Sequence, residues 1–507
     1  IIATEEAQDG TDNTNLVAHL KKVNISDFAP LFLNKPRLEG QITGKVTLSD
    51  PFGKQFIDIK TNTTGLRMDD KLIGDVPVEG TVNTATGLIT GKASANSELY
   101  KFNINGTYNY KDSTGNRMNV DLLADRFDLS MLDNYLGSIF SEIKGNASST
   151  LSLKGDNNHN YFTGTVNVDS CSLKVNYTQC RYKFGNKTII FNPDEIDLGL
   201  LQLKDELGNT GTVRGKMKHN LFDEFDFENL AFETGKMLLL NTTKKDNNQF
   251  YGKAIGSAKM TLNGPVTDMR MKIAGKTSST DSSHIYLPTG DSKENGGVDY
   301  IEFVKFGREM DVLHTKAGTN LFIDMDLDAT PACKIDVILD ETTGDIIKGQ
   351  GNGSLNIKVG TREPISMRGQ YNITQGEYRF NFQTVFNRYF SLKKGSTINW
   401  NGDPYLANIN ITAEYIAPNV DLSSLSSSSG RAIKQKSDLS IIAHLTNTLK
   451  EPKINFEFVL PPDKDISKDP IVLENLKKFT RDENEMNRQV ASLLLFNTFV
   501  NESGGGL

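Results

Sequence analysis

Three aspartates are the first candidates for chemistry, because Asp324, Asp326 and Asp328 occupy every second position of the stretch NLFIDMDLDA. This spacing resembles the start of a calcium loop, which a glycine and, at position twelve, a glutamate complete. Here Ala329 takes the glycine position and Ile335 the twelfth. In an extended strand, residues two apart lie on one face at about 6.5–7 Å, too far apart to share an ion. We therefore predict that the three aspartates lie on the solvent-exposed face of a strand and form no metal site.

No other grouping of residues favours catalysis. The six histidines are scattered and form no Ser/His/Asp grouping. Asp324 with Asp326, or Asp121 with Asp125, would be the paired carboxylates of a polysaccharide-cleaving β-helix. The coils of that fold repeat every ~20–30 residues, and no such period is present. We predict that the protein is not an enzyme and uses no cofactor.

The three cysteines, Cys171, Cys180 and Cys333, form no CxxC pair and have no histidine at a metal-ligand spacing. A Cys171–Cys180 disulfide in an oxidising compartment and two isolated thiols both remain open.

The bulk properties exclude further classes of protein. The chain has 507 residues, 37% of them apolar, and a formal net charge of -7 with charges of mixed sign. This composition argues against an extended nucleic-acid surface. No stretch reaches the ~18 apolar residues of a membrane-spanning helix. The first residues lack a signal pattern and the last form a glycine run, so we interpret both ends as cuts and expect targeting and anchoring segments outside this sequence.

Apolar and polar residues alternate with a period of two over almost the whole chain. Such alternation is typical of strands with one apolar and one polar face, so we predict an all-β protein. At ~12 residues per strand and turn, the chain would hold on the order of 40 strands. The clearest apolar stripes contain Phe102 and Ile104; Leu321, Ile323, Met325 and Leu327; Tyr378, Phe380 and Phe382; Ile409 and Ile411; and Phe456 and Phe458.

A longer repeat overlies this alternation. LEGQITGKVTL, IKGNASSTLSL and IKGQGNGSLNI share one pattern, and YGKAIGSAKMTL is a looser copy. Their leading glycines are Gly40, Gly145, Gly252 and Gly349. The stretches that follow also match: GTVNVDSCSLKV (164–175) aligns with GQYNITQGEYRF (369–380) without a gap, and NISDFAPLF (24–32) resembles DLSMLDNYL (128–136). Repeats indicate one strand unit stacked on copies of itself, whereas a string of separate β-sandwich domains would require regular linkers. We see no such linkers and favour a continuous sheet.

The C-terminal end has a helical pattern. Asp469-Pro470 predicts the start of one helix, and the capping-box pattern from Thr480 to Glu483 predicts a second. We expect the helices to cover the end of the sheet; a partner-binding helix is the alternative. The residues expected on the inner face of the second helix are Met486, Val490, Leu493 and Leu494.

One stretch, GEYRFNFQTVFNRYFSLKKGSTINWNGDPYLANINITAEY, carries the most specific features. They are the strand at Gly376, Tyr378 and Phe380; Phe390 before Gly395-Ser396; Ile398 and Trp400; the Gly402-Asp403-Pro404 turn; and Ala407, Ala413 and Tyr415. With these features, the chain resembles the C-terminal domain of the TamB family, the inner-membrane subunit of the translocation and assembly module of Gram-negative envelopes. The resemblance is strongest over residues 320–500 and AsmA-like over 16–300. The family often has glycine where this chain has Asn497.

The resemblance implies a β-taco, an elongated curved β-sheet that forms a U-shaped groove with an apolar interior, plus a short helical segment near the C-terminus. We expect an AsmA-like repeating β-groove segment over residues 1–319. A TamB C-terminal-type β-taco segment is expected over residues 320–468, and a helical segment that caps or interrupts the sheet over residues 469–500.

The resemblance also implies a function. The chain would conduct or shield phospholipid between the inner and outer membranes during outer-membrane biogenesis, in the periplasm and anchored to the inner membrane outside this sequence. The alternative is a scaffold for inserting outer-membrane β-barrel proteins with a partner of the TamA/BamA type. Acyl chains would be the ligand, and no nucleic acid is expected. The predicted lining residues are Phe102, Ile104, Ile323, Met325, Leu327, Tyr378, Phe380, Phe382, Ile409, Ile411, Phe456 and Phe458.

Overall fold

The computed structural model describes most of the chain. The residues described are 2–5, 15–31, 36–113, 115, 117–137, 139–155, 159–220, 223–288, 320–340, 343–382, 386–426 and 436–500. Within them, 25 strands form one hydrogen-bonded sheet, and the helices of ten or more residues lie near the C-terminus. The predicted all-β class and the continuous sheet are confirmed.

The strands are long. The first fourteen are β1 (Ile2–Glu5), β2 (Asn15–Asn24), β3 (Leu38–Ser49), β4 (Phe56–Met68), β5 (Lys71–Asn83), β6 (Leu88–Asn96), β7 (Tyr100–Asn109), β8 (Met118–Asp128), β9 (Phe140–Gly155), β10 (Asn160–Val175), β11 (Cys180–Asn192), β12 (Glu195–Asp205), β13 (Thr210–Asn220) and β14 (Asp223–Thr242). The others are β15 (Tyr251–Pro265), β16 (Met269–Thr277), β17 (Ser283–Pro288), β18 (Leu321–Asp340), β19 (Asp345–Gly360), β20 (Ser366–Phe382), β21 (Phe386–Leu392), β22 (Ser396–Gly402), β23 (Asn408–Asp421), β24 (Lys436–Asn447) and β25 (Pro452–Val459). The expectation of about 40 strands is wrong for the described residues, because strands such as β14 and β18 reach 20 residues.

The chain is divided into two compact units. The N-terminal unit comprises Ile1–Thr234 and Thr261–Met269, and the C-terminal unit comprises Gly235–Met260 and Asn320–Leu507 together with Arg270–Lys316. The segment boundaries placed after residues 319 and 468 from the sequence stay predictions.

In the N-terminal unit the strands form an antiparallel meander. Each strand from β1 to β13 pairs with the strand that follows it in the chain. Side chains of paired residues point to the same face, so the alternation in the sequence becomes one apolar and one polar face.

Among the described residues, the C-terminal unit departs from a simple meander around β15–β18, where β15 pairs with β17 and β16 with β18, and around β20–β23, where β21 pairs with β23. Strands β17 and β18 pair in parallel, and β20 pairs with both β21 and β22, which lie one after the other along it. Residues 393–395 separate β21 from β22. The Ser396 hydroxyl donates to the Lys393 carbonyl at 2.8 Å and accepts from the Thr412 backbone amide at 3.1 Å. The Ser396 hydroxyl thus connects the turn with β23 at the step, alongside the backbone bond from the Lys393 amide to the Thr412 carbonyl at 2.8 Å.

The repeat glycines mark close approaches of the backbone. In the second repeat, Gly164 of β10 has φ +131°, and a methyl group there would lie 2.1 Å from the Thr150 carbonyl oxygen of β9. In the fourth repeat, Gly369 of β20 has φ +125°, and a methyl group would lie 2.2 Å from the Ser354 carbonyl oxygen of β19. Only glycine fits both the positive φ and the approach at these two aligned positions. Of the four leading glycines of the repeat, Gly40, Gly145 and Gly252 also have positive φ, whereas Gly349 does not.

Short helical turns belong to the same repeat. The predicted similarity between residues 24–32 and 128–136 corresponds to turns that follow β2 and β8. The first contains 3₁₀ turns at Ile25–Asp27 and Ala29–Leu31, and the second a 3₁₀ turn at Leu129–Leu132 and the helix α1 (Asp133–Leu136). Another short helix, α2 (Ser423–Ser426), follows β23.

Two longer helices end the described chain. The helix α3 (Pro470–Phe479) begins as predicted, because the Asp469 carboxylate accepts from the amides of Ile471 and Val472. The predicted start of the helix α4 (Glu483–Phe496) is wrong: its N-cap is Asp482. Thr480 instead ends α3 and donates to the Lys477 carbonyl. An aspartate two residues later offers a stronger acceptor for the free amides of the helix start.

The inner face and the end of α4 follow from its residues. Met486, Val490, Leu493 and Leu494 are buried, as predicted. Asn497 ends the helix with φ 53° and ψ 37°, and its amide bonds the Leu493 carbonyl at 3.1 Å. Asparagine is the non-glycine residue best suited to this left-handed position, so it replaces the glycine of the family without loss of the turn.

Replacing a repeat glycine should destabilise the sheet. Gly145 has φ +136°, and a methyl group there would lie 1.9 Å from the Ser170 carbonyl oxygen. We expect Gly145→Ala to lower the free energy of unfolding by at least about 2 kcal/mol. Gly91→Ala is the matched control, because no atom lies within 4 Å of the added methyl. Urea unfolding of the purified chain measures both, and equal effects would contradict the close-approach explanation.

Candidate functional site

The apolar face of the N-terminal unit is the first part of the candidate site. On β7, Phe102 and Ile104 are half-buried, whereas Asn103 and Asn105 between and beside them are exposed on the opposite face. Phe102 pairs with Ala95 and Ala124 on the neighbouring strands, and Ile104 pairs with Ala93 and Leu122. The apolar row therefore continues from strand to strand.

Among the residues that the structure describes, the side chains of this face are only partly covered by protein. Around each of three apolar clusters in this unit, the half-buried side chains outnumber the fully buried ones. The clusters are centred on Tyr100 and Met131, on Ile143 and Cys171, and on Leu151 and Phe191. Half-buried apolar side chains along neighbouring strands leave apolar area that a hydrocarbon ligand can cover.

The helical turn at Leu129–Leu132 covers part of the face locally. Met131 is 1% exposed and packs with Tyr100, whose ring lies edge-on to Phe127 with centroids 5.4 Å apart. No pattern in the sequence points to Met131 or Tyr100, and the similarity between residues 24–32 and 128–136 is the signal for this turn.

In the C-terminal unit, fully buried apolar side chains outnumber the half-buried ones. One large cluster of fully buried side chains includes Trp400, Tyr371 and Phe390, and fewer half-buried residues pack against it. Helices α3 and α4 contribute to it through Val472, Leu493 and their neighbours. Protein side chains therefore fill this core themselves.

The predicted lining residues divide accordingly. Phe102 and Ile104 lie on the half-covered face of the N-terminal unit. Those of the C-terminal unit fall into two groups, with the side chain of Phe382 outside the described residues. The buried group is Ile323, Tyr378, Ile409, Ile411 and Phe458, and the half-buried group is Met325, Leu327, Phe380 and Phe456.

Aromatic contacts join the two groups. The ring of the half-buried Phe380 lies 5.9 Å from that of the buried Tyr378, and it also lies 5.9 Å from the ring of Phe456, edge to face. Edge-to-face pairs at this separation stabilise a packed core beyond the area they bury.

The comparison with protein families decides the relationship. The family described as "TamB C-terminal domain" matches residues 199–507, more than half of the chain. The chain belongs to the TamB family. The match begins within β12, well before the stretch that carries the strongest resemblance in the sequence. No curated protein and no solved structure matches the chain.

TamB membership fixes the general role. TamB proteins are periplasmic envelope proteins connected with outer-membrane assembly, and the family is not known as one of enzymes. Among the described residues of this TamB chain, no helix is long and apolar enough to span a membrane.

The aspartates of this TamB chain lie on a strand, as predicted. Asp324, Asp326 and Asp328 belong to β18. The side-chain amide of Asn356 on β19 donates to the Asp324 carboxylate at 2.9 Å and to the Asp326 carboxylate at 2.8 Å. Lys358 lies 3.4 Å from Asp324. Neighbouring polar side chains therefore bind the carboxylates. The described residues contain no group of three or more aspartate, glutamate, histidine or cysteine side chains that could hold a metal ion.

The three cysteines of the TamB chain are free and buried. Burial raises the pKa of Cys171 to about 12 and the pKa values of Cys180 and Cys333 to about 11. Neutral thiols of this kind act as small apolar side chains.

The two most deeply buried thiols predict a pH dependence of stability. A thiol in the unfolded chain has a pKa of ~8.5, and burial raises the pKa values of Cys180 and Cys333 above it in the folded chain. The contribution of this burial to the free energy of unfolding is therefore complete below pH ~8.5. Above it, the unfolded thiols ionise first, so the free energy of unfolding should fall by up to ~1.4 kcal/mol per thiol for each pH unit. Urea unfolding between pH 8 and 10 measures the change. A Cys180→Ala/Cys333→Ala variant should lose this part of the slope, and an unchanged slope would contradict the assignment.

Proposed function

We propose that this TamB-family chain holds and conducts phospholipid along the apolar face of its N-terminal unit. The observation that supports the proposal is the half-covered row through Phe102 and Ile104. Each methylene that leaves water contributes about 0.8 kcal/mol, so acyl chains would be held strongly by such a face. A face of similar apolar side chains offers similar energy at successive positions, which permits movement along it.

The proposed action needs no catalytic group. Lipid transfer requires a path that keeps acyl chains from water, and the chain would supply that path in the periplasm between the inner and outer membranes. We further propose that the full-length protein is anchored to the inner membrane and meets an outer-membrane partner of the TamA/BamA type. Within the C-terminal unit, the half-buried Met325, Leu327, Phe380 and Phe456 would be the lining residues, whereas the fully buried predicted residues serve the core.

A charge on the apolar face should remove bound lipid. We expect Ile104→Asp to reduce the phospholipid extracted with the purified chain several-fold, because a carboxylate among acyl chains is costly to desolvate. Asn105→Asp is the matched control: it adds the same charge on the exposed face of the same strand. Solvent extraction followed by mass spectrometry measures lipid per chain. Equal lipid in the two variants, or none in the unsubstituted chain, would refute the proposal.

A scaffold for inserting outer-membrane β-barrel proteins is the second candidate. The observation in its favour is the end of α4, where Leu495 and Phe496 are 41% and 66% exposed. Adjacent exposed apolar side chains on a helix end are typical of a binding surface.

The scaffold function predicts a separate defect. We expect Leu495→Ser/Phe496→Ser to lower the level of assembled outer-membrane barrels while leaving the lipid content of the purified chain unchanged, because the substitutions remove only an exposed contact. Quantitative blotting of folded barrels measures the effect, with the exposed Lys478→Ser of α3 as control. Normal barrel levels would argue against this second function.

A further inference from the structure

Lys187 of β11 places a positive charge on the apolar face of the N-terminal unit. Its register partner on β10 is Val168, which is buried and pairs in turn with the buried Ala147 of β9. Residues directly opposite each other on antiparallel strands point to the same face. Lys187 therefore belongs to an apolar row, although lysine is a residue type that proteins keep mostly on their polar surface.

The alternation within β11 gives the same orientation. Ile189 and Phe191, two and four residues after Lys187, belong to apolar clusters of this face. Thr188 and Ile190 are exposed on the opposite face. Because successive side chains of a strand point to opposite faces, the side chain of Lys187 lies with Ile189 and Phe191. Lys187 itself is half-buried.

A glycine on the next strand leaves room for the Lys187 ammonium. A Cβ atom built on Gly199 of β12 would lie 2.8 Å from the Lys187 Nζ, so a larger residue there would displace the ammonium. The lysine reaches Gly199 across a stretch in which residues 184–189 of β11 and 198–203 of β12 are not paired with each other. Gly199 precedes the buried Leu201 by two residues. The charge therefore lies among apolar neighbours.

The charge of Lys187 is not balanced by a carboxylate. Among the described residues, none forms an ion pair or a side-chain hydrogen bond with its ammonium. The Asp197 carboxylate of β12 accepts from the Gly199 amide at 2.7 Å and lies 4.0 Å from the Lys216 ammonium. Asp197 is the register partner of the exposed Ile190, so its side chain is on the opposite face of the sheet.

An unpaired ammonium on this face is incompatible with a cover of hydrocarbon alone. Acyl chains over the apolar row would exclude water from Lys187, and a charge that leaves water without a counter-charge is strongly destabilised. A phospholipid removes the conflict, because its acyl chains cover the apolar side chains while its phosphate pairs with the ammonium. Lysine is a common phosphate ligand, and charge-assisted contacts of this kind are among the stronger hydrogen bonds.

We propose that Lys187 is a phosphate-binding residue of the apolar face, against which a phospholipid places its phosphate while its acyl chains lie on the neighbouring apolar side chains, such as Val168 and Ile189. This inference rests on the proposed function and adds a position at which a headgroup is held. A neutral lipid with the same acyl chains would lack the contact. A free phosphate would make the contact without using the apolar row.

Photo-crosslinking beside the lysine in the full chain tests the inference. A p-benzoylphenylalanine replaces Ile189, and the purified protein is mixed with detergent micelles that contain phosphatidylglycerol or diacylglycerol with the same acyl chains. A second protein carries the probe in place of Phe102, and a third carries it in place of Phe184, on the other side of Lys187, should the first fail to fold. Mass spectrometry measures the crosslinked lipid per chain.

Substitutions of the lysine isolate its charge. Lys187→Gln should reduce phosphatidylglycerol crosslinking at position 189 about tenfold, because the charge-assisted contact with the phosphate is lost. Crosslinking of diacylglycerol there, and of phosphatidylglycerol at position 102, should stay unchanged. Lys187→Arg should retain crosslinking of phosphatidylglycerol, since a guanidinium also pairs with phosphate.

Lys183→Gln is the matched control. Lys183 belongs to the same strand and is exposed, whereas its neighbour Phe184 packs in an apolar cluster. The substitution therefore removes the same charge from the opposite face and should leave the crosslinking of both lipids unchanged. Urea unfolding of each variant checks that the fold is retained.

The outcomes separate this contact from the proposed function. Loss of phosphatidylglycerol at position 189 in Lys187→Gln, with diacylglycerol retained and Lys183→Gln unaffected, supports the inference. Equal crosslinking of phosphatidylglycerol in the two glutamine variants overturns it and leaves lipid conduction standing, because the ammonium then only extends into water. Equal loss of both lipids at position 189 also overturns it and assigns Lys187 to the structure of the face.

The remaining outcomes concern the probe at Phe102. Crosslinking of lipid at position 102 but at neither 189 nor 184 overturns the inference and leaves lipid conduction standing. No crosslink at any position removes the proposed function as well. If calorimetry then detects inorganic phosphate that binds the unsubstituted chain and not Lys187→Gln, the lysine belongs to a free-anion site and the inference is overturned.

Discussion

Backbone pairing between successive strands is the constraint on which the rest of this protein depends. Once each strand is bonded to the next, every second side chain is committed to one face, and a sequence that alternates apolar and polar residues must present a broad apolar surface. Such a surface has to be removed from water by something. The two compact units differ in what covers it.

The C-terminal unit covers its surface with its own side chains. Trp400, Tyr371 and Phe390 lie within a cluster to which the terminal helices also contribute. In the N-terminal unit the strands pair in the same way, yet residues such as Phe102 stay half-buried. The same pattern of alternation thus supports a closed core in one place and a partly covered face in another. Membership of the TamB family gives the partly covered face a biological setting without naming what lies on it.

The sequence was sufficient wherever a local rule decided the structure. Alternation identified the strands, and Asp469-Pro470 located the start of α3, because both signals act over a few residues. Prediction from the sequence failed where competing capping groups or contacts between distant residues determined the structure. Asp482 displaced Thr480 as the cap of α4, and strands longer than average made the strand count too high. The degree of burial and the interrupted pairing between β11 and β12 depend on how neighbouring strands meet, which alternation does not encode.

The glycines at the close approaches have a consequence for how such a molecule can change its size. Gly164 and Gly369 solve the same steric problem in two copies of one unit, and each solution involves only the adjoining strand. Because each of these close approaches involves only the adjoining strand, a gene could gain or lose a whole copy without changing the glycines of the others. The number of copies could then vary in evolution while the steric solution within each copy stays the same.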